Sequence, residues 1–148
     1  MTTLKDILCT DPNRPKVIDD AARLVDEEVK AKGGLSGIAI KAGYKAVTAI
    51  KPTIIKEAVD GLLDKFVEKL EPFHTTWEGA GKTPAFDQYL INKKSDVANA
   101  LLSVTDDRAK KVENKTIKKA YDSLRPSAEK HVTEAMPNFT RLLGKYVK

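Results

Sequence analysis

The chain has 148 residues, 41% of them hydrophobic and 32% charged, with 26 Lys and Arg against 21 Asp and Glu. That length suits one domain with a real core, expected over residues 1–148, and the composition excludes disorder, collagen-like sequence and a disulfide scaffold. Cys9 is the only cysteine, so no internal disulfide can form, and the longest uncharged run, Val97–Thr105, is far shorter than the ~20 residues that span a bilayer. A cytoplasmic protein without membrane contact is the expectation.

Proline and glycine divide the rest into helical pieces. After the turn Asp11–Pro15, apolar residues Val17, Ile18, Ala21, Leu24, Val25 and Val29 fall at helical spacing, and Gly33-Gly34 ends the run. Ser36 is a suitable N-cap for the next helix, Gly37–Lys51, whose apolar positions cover an arc of about 240° at 100° per residue. A helix apolar over most of its circumference predicts the centre of the fold, with Val47 deeply buried.

Pro52 separates it from the most regular pattern in the chain, in which Ile54, Ile55, Ala58, Val59, Leu62, Leu63, Phe66, Val67 and Leu70 repeat through four turns. Pro72 is expected to bend or end this helix, although Phe73 and Trp77 continue its stripe. Thr83-Pro84 starts a short helix with Phe86, Tyr89 and Leu90, and Ser95 caps one with Val97, Ala98, Leu101 and Leu102 inward. A basic helix is expected from about Asp106 to Leu124, and Pro126 and Pro137 each open a last short helix. No segment alternates as a strand, so the fold class is all-α: a bundle of seven or eight uneven helices around the apolar helix of about residues 36–51. Residues 45–66 and 119–139 also align loosely around Pro52 and Pro126, as a duplicated helix–proline–helix unit would.

The segments KGGLSGIAIKAGYKAV, FHTTW, DQYLINKKSDVANALLSVTDDRA and NKTIKKAYDSLRPSAEKHV, in that order, resemble a family of small bacterial proteins of unknown function. The resemblance spans nearly the whole chain and implies a bacterial, cytosolic, single-domain helical protein. It brings no activity, cofactor or catalytic residue.

Motifs that would carry chemistry are incomplete. Gly79–Thr83 ends in the Gly-Lys-Thr of a phosphate loop, but it lacks the earlier glycine and the preceding strand. Glu71 and His74 have the spacing of a di-iron ligand pair, yet the second such motif is missing. No nucleophile elbow accompanies Cys9 or any serine. The chain therefore reads as a non-enzyme with no cofactor and no metal.

Two clusters stand out as contact surfaces. Residues 1–74 carry equal numbers of acids and bases, so the whole positive excess equals that of residues 108–125. On one continuous helix, Arg108, Lys111, Lys115, Lys118, Lys119 and Arg125 share an arc of about 120°, a stripe able to follow phosphates. Phe73, Trp77, Phe86 and Tyr89 surround a glycine-containing loop and could pack as core or line a ligand or self-association surface. The leading expectation is a non-catalytic protein-interaction module, binding a protein partner or a second copy as a dimer. The alternative is a nucleic-acid-associated protein using the basic helix 108–125.

Overall fold

The N-terminus supplies an element that periodicity did not expose. Thr3 and Asp6 form a reciprocal capping box, Asp6 N–H donating to Thr3 Oγ1 (3.1 Å) and Thr3 N–H to Asp6 Oδ2 (3.0 Å), which starts α1 (Leu4–Leu8). Its two leucines are fully buried, and the Leu4 N–H donates to Glu71 Oε1 at 3.0 Å. The segment is an anchored plug in the core.

The computed structural model describes residues 2–148, the Ser36 side chain excepted. Six further helices follow: α2 (Asn13–Ala31), α3 (Gly34–Ile50), α4 (Ile54–Gly79), α5 (Phe86–Ile91), α6 (Lys94–Ala109) and α7 (Lys115–Gly144). No strand occurs among the described residues, and the fold is an all-α bundle. The helix expected from Gly37 begins at Gly34, with Gly33 as its N-cap, and the capping role assigned to the Ser36 side chain lies outside the described residues.

The centre is α4, not α3. Leu63, Val67, Leu70, His74 and Trp77 of α4 are buried among Leu4 and Leu8, Phe86 and Leu90 of α5, and Val97 of α6. No described side chain of α3 joins that core, and Val47 is only half-buried. The reason is size: burial stabilises in proportion to apolar area, about 25 cal/mol per Å². The Leu, Val and Trp side chains of α4 therefore gain more from the interior than the alanines and glycines that make α3 look apolar.

Proline does not divide the long helices as expected. Pro72 lies inside α4, and Pro126 and Pro137 lie inside the 30-residue α7. All three are exposed, so the carbonyl that each leaves without an amide partner sits on the outer, hydratable side of a packed helix. The alignment of residues 45–66 with 119–139 thus pairs a helix break at Pro52 with an uninterrupted stretch of α7, and no repeated unit results. The basic helix expected from Asp106 to Leu124 is instead two elements, since α6 ends at Ala109 and α7 begins at Lys115. Asn114 caps α7 by accepting from the Thr116 and Ile117 amides.

Charged groups tie the outer helices to α4 and to each other. Arg14 reaches Asp60 (3.0 Å) and Asp64 (3.2 Å), joining α2 to α4, and the Tyr146 hydroxyl donates to Asp20 at 2.5 Å, joining the C-terminus to α2. Between α2 and α3 the connection is tight. Gly34 has φ +70°, and a Cβ on Gly37 would lie 2.7 Å from the Lys32 carbonyl carbon. Gly37→Ala should lower stability by about 1–3 kcal/mol, because that backbone atom cannot move aside without opening the turn. Gly61→Ala, with nothing within 4 Å of the added methyl, should instead add about 0.5–1 kcal/mol in urea unfolding.

Candidate functional site

Helix α3 touches α2, α4 and α7 through one side only. Projected at about 100° per residue, the inward arc holds Gly37, Ile40, Gly43, Tyr44, Val47 and Thr48. Gly43 lets Leu124 of α7 approach, a Cβ there lying 3.1 Å from its Cδ1, and the Tyr44 hydroxyl donates to Asp26 Oδ1 of α2 at 3.2 Å. Burial and the Asp26 carboxylate hold the Tyr44 hydroxyl above its usual pKa, so it stays a donor.

The opposite arc is bare. Leu35 is 87% exposed, Ile38 66% and Ile50 43%, and Ala39, Ala42, Ala46 and Ala49 are exposed between them. Three of the four exposed large hydrophobic residues described therefore share one face of one helix. Large side chains stand at its two ends over a floor of alanines, the shape that lets a second helix axis come close.

The charge around this face has one sign. Residues 29–56 contain six lysines and no acidic residue. Four of the six are neutralised by other segments: Lys30 by Asp26, Lys32 by Glu134, Lys51 by Glu57 and Lys56 by Asp19. Lys41 and Lys45, adjacent along one edge of the apolar arc, form no ion pair among the described residues and are exposed.

The clusters singled out from the sequence are arranged differently. Arg108 and Lys111 belong to the end of α6 and the loop after it, whereas Lys115, Lys118, Lys119 and Arg125 lie on α7. Arg125 is engaged: its Nε donates to Asp106 Oδ1 at 2.8 Å and its Nη2 to Asp106 Oδ2 at 3.1 Å. Tyr121 also donates to Asp106, and Thr105 pairs with the Tyr121 hydroxyl at 2.9 Å, so this cluster ties α6 to α7. Arg125 and then Tyr121 lower the Asp106 pKa. The phosphate-following stripe is thus broken by the 110–114 loop and loses one cation to a structural pair.

Of the aromatic cluster, Trp77 and Phe86 are buried with ring centroids 4.9 Å apart, and Phe73 and Tyr89 pack half-buried against the same core. The Trp77 indole N–H donates to the Pro84 carbonyl at 2.6 Å, and these rings hold α4 against α5. His74 is buried beside them, its Nδ1 3.3 Å from Glu78 and 3.6 Å from Glu71, while Glu71 accepts the Leu4 amide. Among the described residues, no three His, Cys, Asp or Glu side chains are grouped to hold a metal ion. The Gly79–Thr83 segment is the last residue of α4 and the turn after it, where the Lys82 N–H returns to the Trp77 carbonyl at 3.0 Å. Burial, then Asp64, pushes the Cys9 thiol up to about 11.

The sequence reading missed the α3 face because it gave that helix to the core. The signal available was its composition: apolar by count, yet seven of its 17 residues are Ala or Gly, with no acid from residue 29 to residue 56. Two outcomes follow from the other groups. Cys9 should react with a disulfide reagent at pH 7 far more slowly than a free thiol of pKa about 8.5, unless the chain is unfolded. Asp106→Asn should cost about 1 kcal/mol at neutral pH. Because the folded pKa of Asp106 is lowered, its contribution is present above the unfolded carboxylate range. The difference between wild type and variant in urea unfolding should hold down to about pH 4 and shrink below it.

No curated protein and no solved structure matches the chain. The model of a family of unknown function (DUF6918) matches residues 4–147, and the chain belongs to that family.

Proposed function

We propose that this chain is a non-catalytic protein-interaction module that docks through the outer face of α3, and that its occupant is an amphipathic helix of another protein with acidic residues along one edge. The observation that carries this reading is the concentration of Leu35, Ile38 and Ile50 around an alanine floor on one exposed helix face. Three physical arguments select the occupant.

First, the floor is alanine. A lipid-inserting face gains from bulky side chains in proportion to buried apolar area, whereas alanine contributes little there and favours close helix packing. Second, the charge is basic. A second copy laid antiparallel across the face by two-fold symmetry would set Lys41 and Lys45 against their own equivalents, whereas an acidic edge pairs with them. Third, the face is one helix long. Its 17 residues extend about 25 Å, which fits a single docked helix.

The test uses a labelled amphipathic Ala/Leu peptide of about 20 residues with glutamates on one flank, compared with its lysine counterpart, in fluorescence anisotropy at low salt. The glutamate peptide should bind, weakening as salt rises, and the lysine peptide should not. Ala42→Arg, which fills the floor, and the pair Lys41→Glu with Lys45→Glu should each reduce binding at least tenfold. Equal binding of the two peptides, or of neither, contradicts the proposal. A dimer in sedimentation that Ala42→Arg dissociates would give the face to a second copy instead. Flotation with anionic phosphatidylglycerol vesicles that Ala42→Arg abolishes would give it to a lipid surface.

A further inference from the structure

A separate feature lies on another side of the bundle. The buried members of the α4 stripe begin at Leu63, while Ile54, Ile55 and Leu62 are half-buried and Ala58 is exposed. These residues face an open cavity of about 440 Å³, also lined by Val47 of α3, Ala109 of α6, Val112 in the following loop, and Ile117 of α7. The volume falls within the roughly 300–1,000 Å³ typical of small-molecule sites. The cavity lies beside the first turns of α4, where α6 stops at Ala109 and five residues pass before α7 begins.

The polar groups at this cavity are of two kinds. Thr105 and Tyr121 are already satisfied, bonded to each other and to Asp106, and Glu57 is held by Lys51 and Thr53. Arg108 and Lys118 also line it, both are exposed, and neither forms an ion pair among the described residues. An apolar chamber whose two uncommitted polar groups are both cations suits a ligand with an apolar body and one anionic end. A carboxylate there is attracted by both cations, a neutral alcohol gains no such attraction, and an ammonium would be repelled.

We infer that this cavity is a binding site for a small apolar carboxylate, with a medium-length aliphatic body against Ile54, Ile55, Ala58 and Leu62 and its carboxylate at Arg108 and Lys118. Two members of the basic stripe thus acquire a role that does not involve nucleic acid. The inference is independent of the α3 docking face, which points away from the cavity.

Isothermal titration of the full chain with decanoate, decylammonium and butyrate tests it. Decanoate should bind one to one and raise the melting temperature, while decylammonium and butyrate should do neither at the same concentrations. Arg108→Ala together with Lys118→Ala, both surface changes that leave the core intact, should weaken decanoate binding at least tenfold. Ala58→Phe should block it by filling the chamber, with circular dichroism confirming that the variant is folded. No heat from decanoate at millimolar concentration, equal binding of decanoate and decylammonium, or full binding by the Arg108/Lys118 double variant would each overturn the assignment.

Discussion

The fold turns on one close approach, that of Gly37 to the backbone of Lys32. A single missing methyl group lets α3 fold back against α2, and a second, at Gly43, lets Leu124 of α7 settle against it. Those two contacts fix which side of α3 faces inward. Once they are set, Gly37, Gly43, Tyr44 and Val47 point toward the bundle, and the arc from Ile38 to Ile50 is exposed. Exposure of that arc follows from the turn and is no accident of loose packing. Lys41 and Lys45 come to its edge by the same rotation, since residues three or four apart share a helix face.

The rest of the bundle follows from a competition for the interior. The large side chains of α4 take it, joined by Leu4 and Leu8 from the N-terminus and by Met136, Leu142 and Leu143 from the far end of α7. This packing is concentrated toward the C-terminal two-thirds of α4. Its first turns remain apolar and incompletely covered beside the 110–114 loop. The Asp106–Arg125–Tyr121 cluster ties α6 to α7 next to the cavity. One sequence pattern, the stripe of α4, thus supplies both the core and a chamber beside it.

Much of the fold was legible because long helical periodicity survives tertiary context. The patterns at Val17–Val29, Ile54–Leu70 and Val97–Leu102 gave α2, α4 and α6, and the absence of strand alternation gave the class. The core position of α3 was misread because hydrophobic arc counts alanine and leucine alike, whereas burial weighs area. Proline was misread in α4 and α7 because its cost depends on which side of the helix the freed carbonyl faces, and that is a tertiary fact. α1 was missed because five residues are too few for a periodic signal, although Thr3 and Asp6 stand at capping-box spacing. The candidate site was legible only as an anomaly, a lysine-rich and acid-free stretch around small residues. The basic stripe was visible as charge, but the break after Ala109 was not visible as geometry.

The outer face of α3 belongs to solvent in the free chain, and the proposed docking depends on that exposure. The most direct measurement is the unfolding free energy in urea of the double variant Leu35→Glu with Ile38→Glu, made on a sample shown to be monomeric. A change within about 0.5 kcal/mol of wild type is expected if that face is solvent-exposed, as for substitutions at exposed positions, with helicity retained. A loss of several kcal/mol, of the size produced when a buried leucine is replaced by a charge, would contradict it and return α3 to the core.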